Sequence, residues 1–142
     1  MNGIIICGHG MFASGINSAL ELIMGPQQDL ITVDFKKGET NTELKKNLRN
    51  AISLLDKTDN ILILCDLLSG SPFNNAILEA MNDKRLRVIY GLNLGMLMEI
   101  TMKRNFGCSI EELQEIAVKS GREQVGYFIE QPFDDELDDF DE

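Results

Sequence analysis

Short apolar segments alternate with amphipathic helical segments along most of this chain, and this alternation limits the possible folds more than any other feature. The apolar segments cover residues 3–7, 30–35, 60–65 and 86–90, each short enough for a strand that is buried on both faces. Between them, apolar side chains recur every three or four residues, as in helices with one buried face. Strands that alternate with helices form right-handed crossovers, so we expect a three-layer α/β/α domain around a mostly parallel sheet of four strands.

Local signals place the ends of several elements. A serine followed by proline predicts that Ser71 is the N-cap of the third helix. The second half of the chain predicts helices over about 94–104 and 109–120, the latter closed by Gly121. A last apolar segment at about 124–129 predicts a fifth strand at the C-terminal end of the domain.

Most of the negative charge lies at one end of the chain. The formal net charge is −10, yet seven of the 23 acidic residues fall within 133–142, a stretch without a basic residue. We therefore expect one folded domain over residues 1–130, followed by an acidic, disordered tail over 131–142. A chain with this charge is a poor partner for a polyanion, so we expect no binding to nucleic acid.

Cysteine spacing and hydropathy bear on whether the protein binds a metal, forms disulfides or crosses a membrane. Cys7, Cys65 and Cys108 are odd in number and show no spacing typical of a zinc site, so we expect reduced thiols and no metal. No apolar run approaches the roughly 20 residues of a membrane span. No basic stretch precedes the first apolar segment, as it would in a signal peptide. A cytoplasmic location is the simplest expectation.

Ligands of open parallel sheets bind beyond the carboxyl ends of the strands. His9 is the only histidine of the chain, and both His9 and Asp66 lie one or two residues past a predicted buried strand. Because parallel strands end at the same edge of the sheet, we expect these two side chains to lie close together. The loops predicted at this edge are residues 8–10, 36–38, 66–71 and 91–93.

Three interpretations of the first loop remain open from the residues alone. Gly8, Gly10 and Ala13 match a permissive form of the dinucleotide-binding fingerprint, with Asp34 as the partner of the ribose hydroxyls. Alternatively, His9 only fills a turn whose glycines serve the backbone. In the third interpretation, His9 is a nucleophile for phosphoryl transfer, and the presence of the Asp66 carboxylate at the end of another core strand favours this one.

An imidazole that attacks phosphorus needs one ring nitrogen free of a proton and a partner for the other. A carboxylate at Asp66 supplies that partner, fixing the tautomer and the orientation of the His9 ring. Phosphoryl oxygens also need hydrogen-bond donors, since catalysis of this transfer is mainly positioning and electrostatic stabilisation. Backbone N–H groups near Gly10 and at the Gly70-Ser71 turn, with the Ser71 hydroxyl, are the candidate phosphate-binding groups.

At these residues the sequence resembles the mannose-family enzyme IIA domain of the bacterial phosphoenolpyruvate-dependent sugar phosphotransferase system. The resemblance is spread over about 120 residues in the family order. The segments that carry it are GHGMFASG at 8–15, VDFKKGE at 33–39, CDLLSGSPFNNA at 65–76, YGLNLGMLME at 90–99 and SGREQV at 120–125.

The resemblance implies a function, partners and an assembly. His9 would accept a phosphoryl group from the phosphocarrier HPr and pass it to a IIB component during sugar uptake, with Asp66 assisting. The transfer runs between protein side chains without a metal or a cofactor, and the IIC and IID membrane components take part only indirectly. The family also implies a homodimer in which the final strand, here 125–129, is an antiparallel edge strand exchanged between subunits.

The residues around His9 suggest where its partners dock. We expect an apolar, partner-docking rim made of Met11, Phe12, Phe35, Leu67 and Leu68. Two related functions remain as alternatives: a regulatory module that reports sugar flux through phosphorylation of His9, and the phosphotransfer subunit that serves dihydroxyacetone kinase. The identity of the sugar does not follow from this sequence, because specificity resides mainly in the membrane components.

Overall fold

The computed structural model describes residues 1–130, so the acidic tail predicted for 131–142 lies outside the described residues. Strands and helices alternate from the first residues onward, with one additional helix after the last strand. The elements are β1 (Gly3–His9), α1 (Phe12–Met24), β2 (Leu30–Phe35), α2 (Asn41–Leu54), β3 (Ile61–Cys65), α3 (Ser71–Asn82), β4 (Leu86–Ile89), α4 (Leu94–Asn105) and α5 (Ile110–Glu123).

The four strands form one parallel sheet in the order β2-β1-β3-β4, which confirms the predicted α/β class. β1 is an interior strand with β2 on one side and β3 on the other. Its register places Gly8 beside Asp34 and Cys7 beside Cys65. The carboxyl ends of β1, β2 and β3 therefore meet at the middle of one sheet edge, where each strand is followed by a loop.

Alternate residues of the interior strands supply two apolar cores, one on each face of the sheet. Ile4 and Ile6 of β1 face the layer of α1, α4 and α5, and Ile5 and Cys7 face the layer of α2 and α3. All four side chains are fully buried. Burial of one such aliphatic side chain contributes about 1.5–3 kcal/mol, so the interior of the sheet is a stiff support for the loops at its edge.

The structure differs from the prediction at two helix ends. Ser71 is the first residue of α3 rather than its N-cap, because Gly70 with φ 91° takes the capping position, and no side chain accepts an N–H of the first turn. Gly121 lies inside α5 and does not end it. A Cβ at Gly121 would lie 2.4 Å from Cε of Met96, so the glycine serves the contact between α4 and α5.

A buried arginine ties the opposite edge of the sheet together. Arg104 of α4 is 1% exposed, and its guanidinium donates to the carbonyl oxygens of Asn2 and Asp29, which precede β1 and β2. The guanidinium also bonds the side chain of Asn105. Sequence periodicity does not reveal this residue, since a cation is rarely buried on a helix face.

The segment predicted as a fifth strand pairs with no strand within residues 1–130. It follows α5 without regular secondary structure, and its apolar side chains are largely exposed, including Tyr127 and Phe128 at 86% each. Its exchange between subunits stays a prediction. Over the same described range, no helix is long and apolar enough to cross a membrane.

Candidate functional site

His9 is the last residue of β1, and its imidazole emerges at the middle of the carboxyl edge of the sheet. The backbone of β1 is buried between two neighbouring strands, whereas the His9 side chain is 42% exposed. The ring of Phe35, the register partner of His9 on β2, lies 6.3 Å away between centroids and is tilted by 57°. The imidazole therefore combines a rigid attachment with access to solvent.

Asp66 follows β3 and lies directly behind the imidazole. Its Oδ2 lies 2.8 Å from His9 Nδ1 and also accepts the His9 backbone N–H at 3.0 Å. Its Oδ1 accepts the N–H of Leu67 at 3.0 Å. The Asp66 side chain is only 10% exposed, so these bonds hold it away from solvent. The sequence predicted that His9 and Asp66 lie close together, and the structure places them in direct contact.

The contact with Asp66 defines which ring nitrogen is free. An ionised carboxylate can only accept hydrogen bonds, so the proton of the neutral imidazole belongs on Nδ1. Nε2 then carries an unshared electron pair. Gly70 approaches this nitrogen closely: a Cβ built on Gly70 would lie 2.7 Å from Nε2 and 2.8 Å from Cε1. Glycine at this position therefore leaves open the space beside Nε2.

Of the predicted phosphate-binding N–H groups, some already donate a hydrogen bond within the protein and others do not. The N–H of Gly10 donates to the Phe35 carbonyl at 2.7 Å, so its predicted role as a phosphate donor would require this bond to open. The N–H groups of Gly70, Ser71 and Phe73, at the start of α3, make no hydrogen bond with any of residues 1–130. The same holds for the Ser71 hydroxyl, which lies next to Gly70 in the chain.

The predicted apolar rim divides into exposed and packed residues. Met11, Leu67 and Leu68 are 60%, 53% and 59% exposed and present apolar surface on both sides of the His9 loop. Phe12 and Phe35 are half-buried and pack against the two cores, one on each face of the sheet. The exposed part of the predicted rim is therefore formed mainly by Met11, Leu67 and Leu68.

Asp34 has a role that the sequence did not indicate. The dinucleotide interpretation assigned its carboxylate to ribose hydroxyls, but Oδ1 instead accepts the backbone N–H of Ser14 at 3.0 Å, in the first turn of α1. The dinucleotide interpretation requires the Asp34 carboxylate to bind ribose, but this carboxylate is already bonded to α1. A carboxylate near the end of one strand, beside a helix start that lacks a capping side chain of its own, is the signal that would have revealed it.

Two thiols lie beneath the site on neighbouring strands. Cys7 and Cys65 are register partners and are fully buried. Burial raises the pKa of Cys7, with further contributions from Cys65, Asp66 and Asp34. Burial, followed by the charge of Asp66, raises the pKa of Cys65 to about 12. Both thiols are therefore protonated at neutral pH and serve as packing groups. Residues 1–130 hold no group of three or more histidine, cysteine or acidic side chains that would bind a metal ion.

Comparisons with known proteins agree on one family. The family model described as EIIA-man, PTS system fructose IIA component, matches residues 3–118. The chain is 35% identical over 122 residues to the PTS system mannose-specific EIIAB component of Escherichia coli (strain K12), a match that covers 86% of this chain and 38% of that protein. It is 32% identical over 104 residues to the PTS system fructose-specific EIIA component of Bacillus subtilis (strain 168), covering 73% and 71% of the two chains.

A solved structure supports the fold. The crystal structure of phosphotransferase system component EIIA from Streptococcus agalactiae superposes with a TM-score of 0.82 at 32% identity, covering 89% of this chain and 97% of that chain. The chain spans only 38% of the length of the mannose-specific relatives that it matches.

Proposed function

The chain belongs to the PTS system fructose IIA component family, and from that premise we propose that it is a phosphocarrier of the sugar phosphotransferase system. His9 accepts a phosphoryl group from phospho-HPr and passes it to a IIB component during sugar uptake. Asp66 is the partner that orients the accepting ring. Both roles come from the match between this chain's residues and the family motif, together with the geometry at the sheet edge.

The contact between His9 Nδ1 and Asp66 Oδ2 at 2.8 Å is the observation that carries this proposal. A histidine that merely fills a turn needs no buried carboxylate behind it. Here Asp66 is held by two backbone N–H groups as well, one of them that of His9 itself. The arrangement fixes the ring through Nδ1 and leaves Nε2 with its unshared electron pair, which is what an attack on phosphorus requires.

The transfer can be written with each bond accounted for. The electron pair of Nε2 attacks the phosphorus of phospho-HPr, forming the N–P bond on His9. The bond between phosphorus and the donor nitrogen breaks, and its electron pair stays on the donor. The proton on Nδ1 remains there, bonded to Asp66, and the positive charge that develops on the His9 ring is stabilised by the carboxylate. The same steps in reverse deliver the group to the IIB component.

The start of α3 is the best candidate for binding the phosphoryl oxygens. The free N–H groups of Gly70 and Ser71 lie at a helix N-terminus, where the aligned peptide dipoles favour an anion. The Ser71 hydroxyl is a further donor. Gly10 contributes chiefly through its position between His9 and α1, because its N–H already bonds Phe35.

Met11, Leu67 and Leu68 are the candidate contacts for HPr and for the IIB component, with Phe12 and Phe35 supporting them from behind. The protein would act in the cytoplasm, where its donor and acceptor are found, and would reach the IIC and IID membrane components only through IIB.

Intact mass spectrometry tests the phosphocarrier proposal. The protein is incubated with phosphoenolpyruvate, enzyme I and HPr, alongside the His9→Ala variant. We expect an acid-labile gain of one phosphoryl group in the native chain and none in the variant. A native chain that gains no mass would refute the proposal, and so would a His9→Ala variant that gains the same mass.

The homodimer is a second part of the proposal. A groove of about 760 Å³ runs along α5 beside the open edge of β4 and includes Ile89 and Val118. The apolar segment 125–129 of the same chain is exposed and belongs to no helix or strand. An extended apolar segment from a second copy would fill such a groove and complete the sheet, and the mutual exchange would remove both exposed surfaces.

Truncation tests the exchange. Ending the chain after Gln124 removes the segment but keeps all of α5, which ends at Glu123. Light scattering should report a dimer for residues 1–130 and a monomer, or loss of folding, for residues 1–124. A truncated chain that remains a stable dimer would show that another surface holds the subunits together.

A further inference from the structure

Four helices begin at the carboxyl edge of the sheet, and they differ in how their first turns are closed. The side chain of Thr40 caps α2 in a capping box with Glu43, and that of Asn93 caps α4. Asp34 of β2 bonds the first turn of α1 through the Ser14 N–H. Among these four, only α3 begins without a side chain that accepts a backbone N–H of its first turn. The one open helix start is thus the one beside Nε2 of His9.

The closure of α1 does not come from the helix itself. Its N-cap residue, Met11, makes no capping hydrogen bond, and the first turn contains no acidic residue. The missing acceptor is supplied by Asp34, 20 positions further along the chain and beside Gly8 in the register of β1 with β2. A neutral side chain would satisfy the Ser14 N–H equally well. The use of a carboxylate here adds a full negative charge next to the strand that carries His9.

The negative charge of Asp34 weakens the attraction of the α1 start for an anion such as a phosphoryl group. The N-terminus of a helix carries roughly half a positive charge, and a carboxylate bonded to it offsets that charge. The charge of Asp34 also reaches β1: after burial, Cys65 and Asp66, it is among the causes that raise the pKa of Cys7. A phosphoryl group on His9 would therefore meet a neutralised helix start at α1 and an uncompensated one at α3.

We propose that Asp34 is a positioning residue that closes the start of α1 to the phosphoryl group on His9 and leaves that group held from the α3 side alone. This inference rests on the proposed phosphocarrier function. A carrier has to release what it accepts, so its phosphorylated form needs a free energy close to that of its donor. Two open helix starts on either side of the phosphoryl group would stabilise it too strongly for onward transfer.

The isosteric variant Asp34→Asn separates charge from geometry. Its amide oxygen can still accept the Ser14 N–H, so the position of α1 is retained while the negative charge is lost. The equilibrium between phospho-HPr and the phosphorylated protein should then shift toward the protein by about two- to fivefold, the effect of one charge at a helix terminus. The shift should diminish in about 1 M salt, which screens such interactions.

Two further variants complete the design. Asp56→Asn removes the same charge at the other edge of the sheet, after α2, and should leave the equilibrium at the native value. Asp34→Ala removes charge and hydrogen bond together and should give a shift at least as large as that of Asp34→Asn, with a lower melting temperature. This second variant keeps the inference testable if Asp34→Asn does not fold.

The equilibrium is read from the intact masses of HPr and of the protein after mixing. If the native protein is phosphorylated but the Asp34 variants share its equilibrium, the inference about Asp34 is wrong and the phosphocarrier function stands. A slower approach to an unchanged equilibrium would likewise overturn it, because that result indicates geometry alone. If the native protein takes up no phosphoryl group, the proposed function fails and the inference fails with it.

Discussion

Adding one methyl group at Gly70 tests the geometry around Nε2 most directly. Gly70 has φ 91° and ψ 175°, a region that is essentially restricted to glycine, so Gly70→Ala introduces backbone strain of about 1–3 kcal/mol. The new Cβ would also lie 2.7 Å from Nε2 of His9. Favourable contacts of a carbon atom begin near about 3.5 Å, so the ring or the loop has to move by roughly 1 Å.

This displacement should affect the reaction more than the fold. A misplacement of about 1 Å costs roughly 100-fold in rate when a reacting group leaves its productive position. Movement of the ring would also disturb its 2.8 Å contact with Asp66. We therefore expect phosphorylation of Gly70→Ala by phospho-HPr to be about 100-fold slower in a rapid-quench assay, while urea unfolding shows a loss of about 1–3 kcal/mol from strain.

Gly107 offers a matched control. It has the same φ of 91°, but a Cβ there would meet no atom within 4 Å, and it lies beyond the end of α4 at the opposite edge of the sheet. Gly107→Ala should therefore lose a similar amount of stability and keep the native rate of phosphorylation. Equal rates for the two variants would refute the assignment of Nε2 as the accepting atom beside Gly70.

Three further predictions concern other parts of the molecule. Asp66→Asn should keep the native circular dichroism spectrum but slow phosphorylation by about 10–100-fold, since the amide group no longer fixes the tautomer of the imidazole; an unchanged rate would remove the carboxylate from the mechanism. Arg104→Met should lower the free energy of unfolding in urea by about 2–3 kcal/mol, because two carbonyls before β1 and β2 lose their donor, and should leave phosphorylation unchanged. At pH 8, iodoacetamide should modify Cys108, which is half-buried, and spare Cys7 and Cys65, whose burial raises their pKa, to about 12 for Cys65; more than one adduct by mass on the folded protein would contradict this.

The architecture and the central contact were predictable from the sequence because they depend on periodicity. Buried strands followed by helices require a parallel sheet, and a parallel sheet places all strand ends at one edge. The meeting of His9 and Asp66 follows from that rule, since each stands immediately after a strand or at its last position. The strand order β2-β1-β3-β4 was not predicted, because the pattern along the chain does not say which strands are neighbours.

What the sequence did not reveal depends on contacts between distant residues. Gly121 signals a helix end locally, yet its missing side chain makes room for Met96, so α5 continues through it. Asp34 was considered only as a ribose partner, because its bond to Ser14 arises from the packing of β2 against the start of α1. Arg104 has the polarity of a surface residue, and only the fold shows the carbonyls that satisfy it.

The exposure of His9 fits a group that has to meet two partners in turn. A deeply buried imidazole would be inaccessible to another protein, while a free side chain in solvent would lose its orientation. The 42% exposed ring is instead fixed from behind by Asp66, which is 10% exposed, and flanked by the backbone of Gly70. Orientation thus comes from the buried side of the ring, and the exposed side stays open for exchange. This division explains how a single rigid edge could accept a phosphoryl group and release it without a moving lid.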